Sequence, residues 1–277
     1  MTPESLAAVD PARLHAAFGA AFADYLIGPF TIALAQWPQF LARQGVDLAL
    51  SRAACDAGGD VLAFALVAPR RRRWRLATMG AVPAARGGGT APRLLDDFIG
   101  RAREAGLAEV ELEVFAQNER ARRLYESRGF AARHELHGWQ APPPGGEMTA
   151  LPAGIERAGR DEAFAWIDAL PFIGELPLQV TPVALAASPV PLQAFRLGGA
   201  QLLFAETAPG VLTISSLIDV DPAQADALAL VRALRAAHPV HRSVVPALQR
   251  LDVGGQALRD AGFERQPLHQ LLMRAPV

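Results

Sequence analysis

Apolar and polar residues alternate along the chain in two periods, one typical of helices and one typical of strands. Between positions 91 and 106, apolar side chains recur at helical spacing and Gly106 follows as a suitable stop, which predicts an amphipathic helix. Residues 109–116 alternate at every second position, with aliphatic side chains on one face and Glu109, Glu111 and Glu113 on the other. This stretch is predicted to be a strand with one acidic face.

The same patterns predict the other elements of the first half. Helices are expected over 11–22, 37–47 and 118–130, and strands over 61–69, 74–82 and 132–139. The first two of these strands are expected to form a hairpin, and we interpret the basic run RRRRWR (70–75) as a solvated turn between them. This mixture of helices and strands predicts an α/β protein.

The second half of the chain repeats this order in weakened form. Strand, Asp-Pro and helix recur in LTISSLIDVDPAQADALALVRALRAAHP, and the pair Gly129-Phe130 recurs as Gly262-Phe263. The stretch QAPPPGG (140–146) suits neither a helix nor a strand. We therefore predict two domains, 1–140 and 147–277.

Composition narrows the class of protein. Hydrophobic residues make up 51% of the 277 residues and charged residues 20%, as in a well-buried globular chain, and the formal net charge is -1. This balance favours neither a nucleic-acid nor a membrane partner. The single Cys55 excludes a disulfide framework, and the histidines lack metal-ligand spacing. With no signal peptide and no apolar run of about 18 residues, we expect a soluble cytoplasmic protein without a metal site.

A glycine-rich segment, RGGGTA (86–91), lies between a predicted strand and a predicted helix. Glycines let the backbone approach a ligand, and the N–H groups at a helix N-terminus attract anions, so a diphosphate is the natural guest. A Walker loop is excluded because no Gly-Lys-Ser/Thr follows, and the dinucleotide fingerprint fails because Pro92 stands in place of its third glycine. On the glycines alone, a flexible turn is an equal alternative.

Two motifs resemble those of the GNAT superfamily of N-acyltransferases. Residues 86–91 are similar to its Gln/Arg-x-x-Gly-x-Gly/Ala loop, which cradles the diphosphate of acetyl-coenzyme A, and LEVFAQNERARRLYESRGF (112–130) is similar to its next motif. The resemblance implies a mixed α/β sheet in two tandem domains, the second of which lacks the diphosphate loop. It also implies that acetyl-coenzyme A contacts Val82, Arg86, Gly87, Gly88, Gly89, Thr90, Ala91 and Asn118. Each half is one strand short of the family sheet, so we expect the halves to share strands or to pack edge to edge.

The resemblance further implies catalytic roles. Tyr125 stands where family members often have a tyrosine that protonates the departing thiolate, although it could instead only pack on the sheet. Glu113 is the candidate base, with a structural hydrogen-bonding role as the alternative, and Glu111 is a reserve on the substrate side. Asn118 could serve only as a helix cap. The family's acceptor wall would here include Asp24, Tyr25 and Phe30, although the two aromatic residues could simply pack the loop.

Together these features predict an N-acetyltransferase that transfers acetyl from acetyl-coenzyme A to a primary amine by direct attack. The acceptor would be a small-molecule amine or a protein N-terminus, and the protein would act as a monomer or a homodimer. The alternative is a non-catalytic acyl-coenzyme A sensor or partner-binding module. A purely structural pair of domains is a third hypothesis, and it predicts that coenzyme A does not bind.

Overall fold

The computed structural model of the protein describes residues 3–277. These residues form two compact units, each built from more than one segment of the chain. Unit 1 contains the residues up to Val114 together with 118–133 and 272–277, and unit 2 contains 115–117 and 134–271. The predicted division into 1–140 and 147–277 differs from these units at residues 115–117 and at the end of each half. Residues 134–140 belong to the unit of the second half, and residues 272–277 belong to the unit of the first.

The first half of the chain supplies most of unit 1. Its elements are, in order, β1 (Glu4–Ser5), α1 (Pro11–Ala21), α2 (Trp37–Arg43), β2 (Asp47–Cys55), β3 (Val61–Arg70), β4 (Arg73–Ala81), α3 (Thr90–Glu104), β5 (Glu109–Phe115), α4 (Glu119–Glu126) and β6 (Ala131–Ala141). Short 3-10 turns precede α1, α2 and α3.

The second half supplies most of unit 2. Its elements are β7 (Glu156–Ala158), α5 (Arg160–Asp168), α6 (Pro182–Leu185), β8 (Gln193–Leu197), β9 (Ala200–Ala208), β10 (Val211–Asp219), α7 (Ala225–Ala237), β11 (Arg242–Gln249), α8 (Gly255–Asp260) and β12 (Glu264–Pro276).

Each unit has a mixed sheet that includes a strand segment from the other half. The order in unit 1 is β1-β2-β3-β4-β5, with the end of β12 beside β5, and the order in unit 2 is β12-β6-β11-β10-β9-β8-β7. Pairing is antiparallel from β1 to β4 and parallel between β4 and β5. The sharing of strands explains why each half of the sequence is one strand short.

The core of unit 1 is aromatic where α1 and α2 cover the sheet. Phe18 of α1 packs against Trp37 and Phe40 of α2 and against Phe64 of β3, with ring centroids between 5.0 and 6.1 Å apart. Such ring pairs stabilise the core beyond the area that they bury. Asp10 caps α1 by accepting the Ala12 N–H at 2.8 Å. The cap fixes the start of α1, and the contacts of Phe18 hold its last turn, from which the loop to α2 begins.

Strands β4 and β5 separate toward their carboxyl ends. Their parallel pairing runs from Arg73↔Glu109 to Leu76↔Leu112 and stops there, although both strands continue. A bulge also interrupts the pairing of β3 with β4, between the partners of Leu66 and Val67. A bulge bends its strand locally. The gap that results opens at the end of β4, where the glycine-rich segment begins.

Three predictions about local structure need correction. The helix expected over 37–47 ends at Arg43, because Gly45 turns the chain with a φ of 64° and β2 begins at Asp47. The linker expected over 140–146 begins later, because β6 continues to Ala141. The basic run 70–75 is not a solvated turn: Arg70 and Arg75 are buried, and the turn itself is confined to residues 71–72.

Candidate active site

The glycine-rich segment forms a tight loop between β4 and α3. Gly87 and Gly89 have φ angles of 83° and 75°, a left-handed conformation that side chains with a Cβ adopt only at a cost. A Cβ placed at either position would meet no atom within 4 Å, so this surface of the loop is open. The glycines are therefore required by the backbone conformation and not by crowding.

Five consecutive backbone N–H groups at this loop, from Gly87 to Ala91, have no acceptor among residues 3–277. The next residue is Pro92, which has no N–H, and Arg93 is the first to donate back, to the Gly89 carbonyl at 3.3 Å. Orphan N–H groups at a helix N-terminus carry partial positive charge. The first turn of α3 contains no acidic residue that could neutralise it. The loop therefore fits an anionic group such as a diphosphate.

The side chain of Arg86, which is predicted to contact the coenzyme, has partners at the end of α1 and in the loop that follows it. Its guanidinium donates to both carboxylate oxygens of Asp24, at 2.5 and 2.7 Å, and to the carbonyls of Ala81 and Ala21, at 3.3 and 3.1 Å. Asp24 and Arg86 are both predicted site residues, and the structure pairs them with each other. This pairing keeps the pKa of Asp24 below its ordinary value.

Val82 is also occupied by internal contacts. Its N–H donates to the Leu62 carbonyl at 2.9 Å, and its own carbonyl accepts from Ala85 N–H at 2.9 Å. Its backbone N–H is therefore committed within the protein, which does not support the predicted contact with the coenzyme through that group. Thr90, the first residue of α3, is buried.

Three of the predicted site residues lie together beyond the end of β5. Asn118 caps α4 by accepting the Ala121 N–H at 3.2 Å, and its side chain forms a hydrogen bond with Tyr25. Tyr25 also lies close enough to Tyr125 to influence its ionisation. Burial, together with this neighbour, raises the pKa of Tyr125 above its ordinary value, and burial also raises that of Tyr25. Tyr125 is consequently a protonated hydroxyl at neutral pH.

The loop between α1 and α2 presents one further predicted residue. Phe30 is 36% exposed and packs by its ring edge against Phe18 and Phe40. Leu26, Ile27 and Leu34 are also exposed large hydrophobic residues on this segment. The loop therefore offers an apolar surface next to Asp24 and Tyr25.

Glu113 lies one position beyond the last paired residue of β5, where the two strands separate. Its side chain is 2% exposed, and its Oε2 accepts from Arg75 Nε at 2.6 Å and from the Nη2 of the same side chain. Arg75 also donates to Gln44 Oε1 at 3.3 Å. The second carboxylate oxygen, Oε1, is buried with no hydrogen-bond partner among residues 3–277. Glu113 thus keeps one oxygen able to accept a proton or a hydrogen bond.

Glu111 is enclosed by arginines, which does not support its predicted contact with a substrate. It is fully buried, and it accepts from Arg70 at 2.7 Å, from Arg73 at 3.2 Å and from Arg274 at 3.3 Å. The acidic face predicted for β5 is therefore an internal ladder of ion pairs. Sequence reasoning missed these arginines, although Arg73 and Arg75 alternate along β4 with the same period as the glutamates of β5.

In unit 2, strands β10 and β11 also separate, but a side chain of the protein occupies the gap between them. The parallel pairing of β10 with β11 ends at Thr213↔Val244, and a bulge interrupts β10 just beyond, between Ile214 and Ser216. The buried side chain of Gln249 then donates to the Leu217 carbonyl at 3.0 Å. This side chain joins the ends of the two strands across the gap.

The helix that follows β10 also lacks a free anion site. Its N-terminal turn contains no glycine, and the Ala227 N–H donates to Asp219 Oδ2 at 2.9 Å. Asp219 is 1% exposed and also accepts the Asp221 N–H at 2.9 Å. In unit 2 the protein thus supplies its own carboxylate where α3 of unit 1 presents unpartnered N–H groups.

Within residues 3–277, no group of three histidine, cysteine, aspartate or glutamate side chains is arranged to hold a metal ion. Over the same residues, no helix combines the length and the apolar character needed to cross a bilayer.

The site thus combines a glycine-rich loop at a helix N-terminus with two separating strands of a mixed α/β sheet. Residues 18–130 match the model of the acetyltransferase (GNAT) family. The match covers less than half of the chain, and this part is similar to the GNAT family of acetyltransferases. Members of the family generally use acetyl-coenzyme A and acetylate amines or protein termini.

Solved structures show that the likeness of fold extends over nearly the whole chain. The GCN5-related N-acetyltransferase from Sphaerobacter thermophilus is 19% identical with a TM-score of 0.65, covering 96% of this chain and 93% of its own. The corresponding enzyme from Anabaena variabilis is 14% identical with a TM-score of 0.63, covering 95% and 68%. A putative acetyltransferase from Pyrococcus horikoshii is 11% identical with a TM-score of 0.60, covering 97% and 86%. No curated protein matches the sequence.

Proposed function

We propose that the protein is an N-acetyltransferase that transfers the acetyl group of acetyl-coenzyme A to a primary amine. The observation that carries the proposal is the row of five unpartnered N–H groups from Gly87 to Ala91 at the start of α3. A diphosphate would satisfy these donors together, and the helix dipole would favour its charge. Residues Gly87, Gly88, Gly89, Thr90 and Ala91 would bind the coenzyme through their backbone.

The reaction forms one bond and breaks another. The amine nitrogen bonds to the acetyl carbon, the carbon–sulfur bond breaks, and the products are an amide and coenzyme A with a free thiol. Tyr125 would donate the proton that the sulfur takes, because a tyrosine hydroxyl holds its proton at neutral pH and Tyr125 lies beside Tyr25 in the site. The proton lost by the amine would pass to Glu113, directly or through water.

The unpartnered Oε1 of Glu113 supports that role, because Arg75 occupies only the other oxygen. Arg75 would act as a positioning residue that fixes the carboxylate where β4 and β5 separate. Solvent would return the proton from Glu113 to Tyr125 after each turnover. Asn118 supports the site by holding Tyr25 near Tyr125, in addition to capping α4.

The acceptor would be a small-molecule amine or a protein N-terminus that lies against the loop between α1 and α2. The exposed Phe30 and the half-buried Tyr25 support an aromatic wall on this side. Unit 2 would complete or stabilise the enzyme without binding a second coenzyme. The single Cys55 supports a reducing compartment, and we infer that the protein works in the cytoplasm.

The proposal is tested with acetyl-coenzyme A and a panel of amines, by measuring the release of coenzyme A thiol. Gly89→Ala should weaken coenzyme A binding at least tenfold, because a Cβ strains the left-handed φ and protrudes into the open loop. Gly100→Ala is the matched control, since Gly100 lies on the same helix with open space around it and an ordinary φ. Equal affinity of both variants for coenzyme A would show that the loop is not part of the coenzyme site.

The same assay separates the proposal from its rival. A sensor or partner-binding module would bind acetyl-coenzyme A tightly and release no thiol with any amine. Detectable release with one amine, reduced by Tyr125→Phe, would favour the enzyme.

A further inference from the structure

The side chain of Arg86 ties together three separate parts of unit 1. Its Nε donates to the Ala81 carbonyl at the end of β4, and its Nη2 donates to the Ala21 carbonyl at the end of α1. Both Nη atoms also donate to the carboxylate of Asp24 in the following loop. Four of its five N–H donors are thus committed to partners inside the protein. The side chain points its charge toward α1, while the backbone of the next five residues supplies the free donors.

Asp24 connects this ion pair to the candidate catalytic residues. The next residue is Tyr25, which forms a hydrogen bond with Asn118 and lies near Tyr125. The carboxylate of Asp24 is 62% exposed, and its two-fold contact with Arg86 is the kind of geometry that fixes a planar pair in one orientation. The loop that carries Tyr25 is therefore fastened to the residue that begins the glycine-rich loop.

We propose that Arg86 and Asp24 are positioning residues that lock the glycine-rich loop and the α1–α2 loop together, so that coenzyme A affinity depends on Asp24 although Asp24 does not touch the coenzyme. The inference rests on the proposed function, since it concerns the same coenzyme site. It assigns to the Arg86 side chain a role distinct from a direct contact with the diphosphate.

The two roles of Arg86 predict opposite effects of removing Asp24. If Arg86 binds the diphosphate directly, Asp24 competes for its guanidinium, and loss of the carboxylate strengthens binding. If Arg86 holds the loop through Asp24, loss of the carboxylate releases the loop and weakens binding. The sign of the change is therefore decisive, whatever its size.

The experiment measures coenzyme A binding to the full chain by titration calorimetry. Asp24→Asn and Arg86→Gln should each weaken binding by about fivefold, as expected for an exposed but bidentate ion pair. The double variant should bind no more weakly than Arg86→Gln alone, because the two residues act as one unit. Asp24→Glu, which keeps the charge, should recover most of the affinity.

Asp96→Asn is the matched control. Asp96 also accepts a two-fold contact from an arginine, Arg128, and the exposures of that pair are 28% and 54%, against 28% and 62% for Arg86 and Asp24. Among residues 3–277, no hydrogen bond or ion pair joins Asp96 or Arg128 to the glycine-rich loop, so Asp96→Asn should leave coenzyme A affinity unchanged. A melting temperature recorded without ligand for every variant shows whether the fold is retained.

Unchanged or tighter binding by Asp24→Asn would overturn the positioning role and leave the proposed function intact. Additive effects in the double variant, or an equal loss in Asp96→Asn, would also overturn it. Failure of the unmodified protein to bind coenzyme A would instead refute the proposed function, and with it this inference.

Discussion

Replacing Glu111 by alanine should destabilise the protein strongly, although Glu111 lies outside the proposed set of catalytic residues. The carboxylate is fully buried, with Arg70 on Oε1 at 2.7 Å and with Arg73 and Arg274 on Oε2 at 3.2 and 3.3 Å. Arg274 comes from the last strand of the chain, and Arg70 and Arg73 flank the turn between β3 and β4. One carboxylate thus holds three strands of unit 1 in place.

The magnitude follows from what the substitution leaves behind. The side chains of Arg70 and Arg274 are only 8% and 5% exposed, so they stay desolvated after the carboxylate is removed. Breaking a buried ion pair by deleting one partner costs about 3–5 kcal/mol. That is a large share of the ~5–15 kcal/mol by which a domain is usually stable. Glu111→Gln keeps the shape of the side chain and should fall between the unmodified protein and Glu111→Ala.

The assay is urea unfolding at neutral pH, followed by far-UV circular dichroism. With a urea m value of about 1–3 kcal/mol per molar, the transition midpoint of Glu111→Ala should fall by at least about 1 M at an unchanged m value. Glu109→Ala is the control on the same strand: Glu109 pairs with Arg73 at 3.2 Å but is 34% exposed, so its loss should cost at most about 1 kcal/mol. Equal midpoints for the two variants would refute the reasoning from burial.

Three further outcomes are expected. Tyr125→Phe should lower kcat by at least about tenfold with little change in the affinity for coenzyme A, and an unchanged kcat would exclude the acid role. Because the pKa of Tyr125 is raised, ionisation of Tyr125 should not reduce kcat of the unmodified protein up to pH 10. Asp219→Ala should destabilise unit 2 by about 1–2 kcal/mol in urea unfolding, since the buried N–H of Ala227 and the half-buried N–H of Asp221 lose their acceptor, and an unaltered midpoint would contradict this. Burial raises the pKa of Cys55 to about 12, so iodoacetamide at pH 8 should alkylate it much more slowly in the folded protein than in urea, and similar rates would count against that shift.

Local structure was predictable wherever a single element carries its own signal. The apolar stripe of α3, the alternation of β5 and the glycine loop before α3 depend on neighbours within a few residues, and the structure has each of them in the expected place. Strand β2 was not predicted because its pattern is broken by Ser51. That residue is buried yet satisfied, since it donates to the Asp47 carbonyl and accepts the Val67 N–H. Periodicity cannot anticipate a buried hydroxyl that is satisfied partly by its own strand and partly by Val67 of the neighbouring strand.

The remaining features depend on register between distant parts of the chain. The arginines of the run 70–75 looked solvated because their acceptors, Glu111 and Glu113, become neighbours only when β4 pairs in parallel with β5. Arg86 is predicted to be a coenzyme ligand by its family motif, but its pairing with Asp24, 62 positions earlier, was not predicted. In each case the residue type indicated a charged or polar contact, but the partner in that contact could not be predicted. One sequence does not reveal which strands or loops meet.

The contrast between the two units supports a single anion site. Both units have a bulged strand, a parallel neighbour that pairs only at its start, and a helix that follows the bulged strand. They differ in the acceptor for the N–H groups at the start of that helix. The carboxylate of Asp219 accepts from the first turn of α7, whereas α3 follows left-handed glycines and has no acidic residue in its first turn. A buried carboxylate that caps a helix N-terminus also repels a second anion there. Unit 2 should therefore reject a diphosphate for an electrostatic reason, and a titration with coenzyme A should saturate at one site per chain.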